Sequence, residues 1–269
     1  MQTTLESLYE KKSLLITLAA VSLFFLAVNL FHHENFQLSE NFFISDIAYV
    51  IAPGAVMILS LILSIKNKGR GSHGKAWILF FFSALCWFVG EQLFTYSDYD
   101  LNNFETFAGD VFFLLGYPFF FAFTLLYLKP FRKEISPKVI IIATMISISV
   151  VIPSMYMTFF YEEDLQTWEI ALLGVYPILD GIVLIPSLIG VWLFFTGRVN
   201  FLWSLFLLSW IVEVIAETSY LICYIQDRYM PGHESDLFYV TGYVLMAFGL
   251  YYYIKMGKSV LKKSNSITQ

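Results

Sequence analysis

The stretch GDVFFLLGYPFFF, Gly109 to Phe121, begins beside an aspartate and continues as an apolar run long enough to enter a lipid bilayer. A second stretch, SDLFYVTGYVLMA, Ser235 to Ala247, repeats the acid, the Gly-Tyr pair and the spacing between them. Asp110 and Asp236, the two acids, are 126 residues apart. A pattern that recurs at a fixed interval indicates that the chain contains two copies of one structural unit.

The composition of the whole chain is typical of an integral membrane protein. Of its 269 residues 58% are hydrophobic and 14% are charged, and the mean hydropathy is +0.68. The two cysteines, Cys86 and Cys223, fall in apolar runs without the spacing of a disulfide framework or a zinc site. We interpret both as small buried hydrophobic residues.

Apolar runs of roughly 20 residues, the length that crosses a bilayer core of about 30 Å, recur eight times. The first run follows Lys11 and Lys12, as a signal peptide would, but it continues to Phe31, which predicts a retained helix. Pro177 and Pro186 could kink the sixth run or set its start. The eight predicted spans lie near residues 13–31, 46–65, 76–96, 109–129, 138–160, 172–196, 200–224 and 236–256.

The charges of the connecting segments predict the orientation of these spans. Acidic residues and histidines are concentrated in the opposite connections from the basic residues. The positive-inside rule therefore predicts a plasma-membrane protein with both termini in the cytoplasm. Fifteen of the sixteen basic residues lie on alternate connections: Lys11, Lys12, Lys66, Lys68, Arg70, Lys75, Lys129, Arg132, Lys133, Lys138, Arg198, Lys255, Lys258, Lys262 and Lys263.

The repeat extends beyond the opening motif. The interval of 126 also relates Glu91 to Glu217, and the segment DIAYVIAP at Asp46 resembles DGIVLIP at Asp180 if one residue is deleted. We therefore predict an all-α membrane fold of two tandem four-helix units, residues 1–134 and 135–269. Because each unit has an even number of spans, the two units share one orientation and form a parallel repeat. The same interval pairs Gly116-Tyr117 with Gly242-Tyr243, Trp77 with Trp203, Phe80 with Phe206, Ser83 with Ser209, and Tyr127 with Tyr253.

Seven acids fall within or at the edge of the predicted spans. Three of them, Asp46, Asp110 and Asp236, enter at outer helix ends. An ionisable side chain is costly in lipid, so the acids are expected to face the bundle interior or a water-filled recess. This predicts an outward-open cavity lined with carboxylates and aromatic rings, in which close carboxylates cannot all be ionised. The other four acids are Glu91, Glu217 and Asp180, at similar depths below the outer ends, and Glu213, one helical turn deeper.

Each of these residues also has a structural interpretation. Asp46, Asp110 and Asp236 stand where helix N-caps stand, and capping is the commonest role of such an aspartate. Glu91 and Glu217 are not at helix starts; either they hydrogen-bond across helices as neutral acids, or they bind a ligand, a proton or a cation. The Gly-Tyr pairs suit helix packing, with the Tyr117 and Tyr243 hydroxyls reaching polar partners, or a binding motif.

Enzyme signatures are weak in this sequence. It contains no Gly-rich phosphate loop, HExxH, GxSxG or basic nucleic-acid stripe, so we expect no nucleic-acid partner, no cofactor and no catalytic residue. Three histidines on outer loops, His32, His33 and His233, could bind a transition metal together with Glu34 or Glu234, but their spacing matches no established site and favours ordinary loop residues. No lysine falls in the middle of a span, which excludes a retinal Schiff base.

Four segments resemble the polytopic membrane input domains that precede diguanylate cyclase or histidine kinase modules in bacterial and archaeal signalling proteins. They are GEQLFTY from Gly90, GDVFFLLGYP from Gly109, LDGIVLIPSLIGVWLF from Leu179 and GHESDLFYVTGY from Gly232. Only SNSITQ follows Lys263, so we expect a free-standing version without an output domain. The resemblance implies a sensor that acts through a separate cytoplasmic or membrane partner.

The sequence therefore favours a sensor in which a small cationic or polar ligand, or a proton, meets the acids from outside. Occupancy would shift the packing of the two halves. A transporter is the main alternative, because parallel repeats with acids between them also build carrier sites. An accessory subunit of a larger membrane complex is a third alternative. The position of the acids toward one surface counts against transport.

Overall fold

The structure is a computed structural model, and its described part is almost entirely helical. A short antiparallel pair, β1 (Gln37–Ser39) and β2 (Phe42–Phe43), precedes the helices. The helices are α1 (Asp46–Asn67), α2 (Gly71–Ser97), α3 (Asn103–Leu128), α4 (Pro137–Phe160), α5 (Thr167–Leu193), α6 (Asn200–Ile225) and α7 (Glu234–Asn265), with a 3-10 turn at Lys129–Phe131. The described residues are 16, 19, 23, 37–39, 42–43, 46–97, 103–160, 167–194, 200–225, 228 and 234–265.

All seven helices are long and apolar enough to cross a membrane. Seven of the eight predicted spans are thereby confirmed, with ends that differ from the prediction by at most five residues. The remaining span, predicted near 13–31, lies for the most part outside the described residues. The chain is therefore a multi-pass membrane protein. The seven spans are Asp46–Asn67, Gly71–Thr95, Ala108–Phe131, Pro137–Thr158, Ile170–Leu193, Phe201–Cys223 and Ser235–Lys255.

Helix α3 begins earlier than its apolar run. The run starts at residue 109, but the helix starts at Asn103, so Asp110 is inside the helix and its predicted role as an N-cap is wrong. A helix ends where the backbone turns, not where hydrophobicity ends, and asparagine is itself a favoured residue at a helix start. Asp46 is the first residue of α1, and Asp236 is in the first turn of α7.

Among the described helices, two pairs have the most extensive contacts: α2 with α3, and α6 with α7. In each pair a serine hydroxyl on one helix donates to a glycine carbonyl on the other: Ser83 Oγ to Gly116 O at 2.8 Å, and Ser209 Oγ to Gly242 O at 2.8 Å. Small residues allow such close approach of membrane helices. The helices of residues 1–134 meet those of residues 135–269 mainly through α1 against α7 and α3 against α5.

The core between these two groups of helices is aromatic. Phe80 on α2 stacks on Phe206 on α6, with ring centroids 5.3 Å apart. The two residues are fully buried. Burial of rings of this size contributes strongly to packing, and their offset contacts add to it. The other large, fully buried aromatic side chains of the described part are Trp77, Phe120, Phe123 and Trp203.

Candidate functional site

Six of the seven predicted acids belong to one electrostatic network, which we call the acid cluster. Its members come from five helices and are Glu91 on α2, Asp110 on α3, Asp180 on α5, Glu213 and Glu217 on α6, and Asp236 on α7. Glu213 is within electrostatic range of Glu91, Asp180 and Glu217. Glu217 is also within range of Asp110. Glu91 is within range of Asp236. The seventh acid, Asp46, is half-buried at the start of α1.

Tyrosine hydroxyls satisfy the carboxyls of this cluster across helices. Tyr117 donates to Asp180 Oδ1 at 2.7 Å, and Tyr176 donates to Asp110 Oδ1 at 2.5 Å. The Tyr243 hydroxyl approaches the Glu91 carboxyl. Hydrogen bonds to a carboxyl offset part of the cost of its burial. Each of the three contacts joins a helix of residues 1–134 to a helix of residues 135–269.

The acids differ in depth and in burial. Asp180 has 0% of its surface exposed and lies near the middle of α5, whereas Glu91, with 7% exposed, lies near the end of α2. The sequence predicted similar depths for these two acids, and their positions along their helices differ. Asp46, which the sequence aligns with Asp180, is the first residue of α1. Glu213 and Glu217 are only half-buried.

Two buried polar atoms beside Tyr117 have no hydrogen-bond partner. They are Asp180 Oδ2 and the indole Nε1 of Trp210, a residue that is 3% exposed. The Trp210 ring lies 5.7 Å from the Tyr117 ring and 5.5 Å from the Trp87 ring, measured between centroids. Most buried polar atoms in proteins are paired, so these two atoms are exceptions to the usual pattern.

Sequence reasoning missed three functional candidates. Tyr176 precedes Asp180 by one helical turn, a spacing that could have found it. Trp210 gave no signal, because a tryptophan in an apolar run suits a lipid-facing position equally well. His73 is the third: its Nε2 accepts from Trp77 Nε1 at 3.1 Å and lies 3.1 Å from the Tyr253 hydroxyl. That contact joins α2 to α7 at the opposite end of the bundle from Glu91.

The cluster is not arranged as a metal site. Within the described ranges, no three His, Cys, Asp or Glu side chains come close enough together to hold a metal ion. The loop histidines His32, His33 and His233 lie outside the described residues. The observed arrangement instead pairs carboxyls with tyrosine hydroxyls.

Comparisons with known proteins add no relative. No protein-family model matches the chain, and no curated protein or solved structure is significantly similar to it. The fold and the cluster therefore define the class: a multi-pass membrane protein with buried carboxyls between its helices.

Proposed function

We propose that this protein is a plasma-membrane sensor of the kind represented by the polytopic input domains that its sequence resembles. A proton or a small cationic or polar ligand reaches the acid cluster from outside. The change of charge there alters the packing of residues 1–134 against residues 135–269. A partner protein at the basic cytoplasmic loops detects that change.

The observation that carries this proposal is that the carboxyl–tyrosine contacts cross between the two halves. Tyr117–Asp180 and Tyr176–Asp110 join α3 to α5, and Tyr243–Glu91 joins α7 to α2. A carboxyl that gains or loses charge changes the strength of its hydrogen bond. Because these bonds bridge the halves, the change acts directly on the interface between them.

We further propose that the halves are two four-helix repeats, eight helices in all, around a pseudo-two-fold axis. Residues near such an axis contact their own counterparts, as in an isologous interface. Phe80 stacks on Phe206, its counterpart at the interval of 126 residues, as this arrangement requires. Reciprocal contacts also support it. Trp77 packs 5.2 Å from Tyr253, and its counterpart Trp203 packs 5.3 Å from Tyr127, again between ring centroids.

Transport is a second candidate, favoured by the position of Asp180 and Glu213 near the middles of their helices. Carriers with repeats bind their substrates near this depth. Against transport, the layer between these acids and the basic end of the bundle contains the fully buried rings of Phe80, Phe123 and Phe206. Packed aromatic rings supply no polar path for an ion. An accessory subunit would require a membrane complex, which co-purification would reveal.

Distances between two spin labels test the sensor. The labels are placed at the basic end of the bundle, the end that contains Arg70, Lys133 and Lys255. Labels at Arg70→Cys and Lys255→Cys, both exposed positions, are placed in a background with Cys86→Ala and Cys223→Ala. In nanodiscs the distance distribution is expected to change between pH 5 and pH 8. Asp180→Asn should diminish that change, because the amide keeps a partner for Tyr117 but cannot titrate.

The matched control is Glu134→Gln, an exposed carboxyl at the basic end that should leave the response intact. Distances that are identical at both pH values and with every small cation added would refute the sensor. Proteoliposome uptake that depends on Asp180 would establish the transporter instead.

A further inference from the structure

We infer that the ligand of the acid cluster is a small organic ammonium ion, whose N–H donates to Asp180 Oδ2 while its carbon atoms contact the rings of Tyr117, Trp87 and Trp210. This inference rests on the proposed function, since it names the ligand of the same site. It is carried by the unpaired oxygen and by the two tryptophan rings that pack on Tyr117, the residue that donates to the same carboxyl.

The unpaired oxygen defines what the ligand must supply. Tyr117 already occupies Oδ1 of Asp180, and Oδ2 is fully buried without a donor. A carboxylate binds an ammonium N–H through a charge-assisted hydrogen bond, which is shorter and stronger than a neutral one. A ligand without an N–H or O–H donor leaves this oxygen unpaired.

The aromatic rings define the remainder of the ligand. Tyr117 lies against Trp87 with centroids 6.1 Å apart, and Trp210 lies against both rings. Aromatic faces attract cations within about 6 Å of the ring centre, and tryptophan attracts them most strongly. A hydrated inorganic ion loses its water shell among such rings, whereas an alkylammonium ion presents carbon to them.

The neighbouring acids also favour a cation, because a positive charge beside them lowers the cost of ionising a carboxyl in the cluster. Glu213 and Glu217 on α6 are within electrostatic range of Asp180. Both are half-buried. A carboxyl that retains exposed surface inside a span faces water at lower cost than lipid. The part-exposed faces of Glu213 and Glu217 therefore provide the approach to Asp180.

Thermal unfolding and calorimetry on the full chain in nanodiscs at pH 8 test the inference. The probes are propylammonium, which has N–H donors, tetramethylammonium, which has none, and sodium. Propylammonium is expected to raise the unfolding temperature and to bind at least about tenfold more tightly than tetramethylammonium, since only it can pair with Oδ2. Sodium should give no stabilisation beyond that of ionic strength.

Two tryptophan variants supply a matched comparison. Trp203 and Trp210 are both buried tryptophans on α6, but of the two only Trp210 contacts Tyr117. Trp210→Phe should weaken propylammonium binding by about threefold to tenfold, because phenylalanine attracts cations less strongly than tryptophan. Trp203→Phe should leave the affinity unchanged. Asp180→Asn should abolish measurable binding.

The outcomes separate this inference from the proposed function. If no amine binds while the spin-label distances still respond to pH, the ligand class is wrong and the sensor remains. If propylammonium binds through Asp180 but moves no label at any pH, the site is real and the sensor is wrong. Equal binding by wild type and Asp180→Asn would overturn the assignment of the ammonium to this carboxyl.

Discussion

The helix pairs α2–α3 and α6–α7 have the same framework but different chemistry. Each pair is joined by one serine-to-glycine hydrogen bond of 2.8 Å. In α2–α3 the indole of Trp87 lies against Gly116, and in α6–α7 the carboxyl of Glu213 lies against Gly242. Trp87 and Glu213 are separated by the same 126 residues as the serines and the glycines.

This difference concentrates the deep acids on one side of the molecule. The position 126 residues before Asp180 is Gly54, so neither Asp180 nor Glu213 has an acidic counterpart in residues 1–134. Gly116 and Gly242 allow the close approach of the helices, which a larger side chain at either position would disturb. A glycine thus packs against an aromatic ring in α2–α3 and against a carboxyl in α6–α7.

The largest expected effect distinguishes the two glycines. In Gly116→Ala the new methyl group would overlap the Trp87 indole, which is buried and enclosed by Phe120 and Trp210. In Gly242→Ala it would lie 2.8 Å from Glu213 Oε1, the end of a flexible side chain. We expect a loss of unfolding free energy of about 3 kcal/mol for Gly116→Ala and about 1 kcal/mol for Gly242→Ala.

Detergent unfolding titrations of the two alanine variants measure this difference. Gly71→Ala is a control for a glycine with open space around it, although its positive φ of 64° adds backbone strain of its own. Equal losses for Gly116→Ala and Gly242→Ala would contradict the contrast between a fixed ring and a movable carboxyl.

A second, smaller effect concerns the tyrosines. Tyr117→Phe leaves the fully buried Asp180 carboxyl without its donor, at a cost of about 2 kcal/mol, because an unpaired buried acceptor keeps its full desolvation penalty. Tyr176→Phe removes the donor of Asp110, which is half-buried, and should cost about 1 kcal/mol. Unfolding midpoints of the two variants test the order. A larger loss of stability for Tyr176→Phe would contradict the prediction that the more buried carboxyl, Asp180, depends more strongly on its tyrosine donor.

The sequence predicts the membrane spans better than it predicts which side chains meet between the helices. The seven spans follow from the length of apolar chain that crosses a bilayer, and Tyr117 followed from the duplicated Gly-Tyr pair. The contacts that Trp210 and His73 make with other helices could not be predicted from the sequence. Lipid and protein core are both apolar, so hydropathy does not specify how a helix is rotated about its axis. The start of α3 was misplaced for a related reason: its first residues are helical without being apolar.

The smallest expected effect tests whether the serine-to-glycine hydrogen bond contributes the same free energy of unfolding in both helix pairs. Ser83→Ala and Ser209→Ala each remove a 2.8 Å hydrogen bond from a fully buried hydroxyl to a glycine carbonyl. Hydrogen bonds between membrane helices average about 0.6 kcal/mol, so each variant should lose about that amount. Ser149→Ala, whose exposed hydroxyl bonds within its own helix, is the control and should cost less. Losses for Ser83→Ala and Ser209→Ala that differ by about 0.5 kcal/mol or more, close to the whole expected effect, would show that the same hydrogen bond contributes unequally to the two pairs.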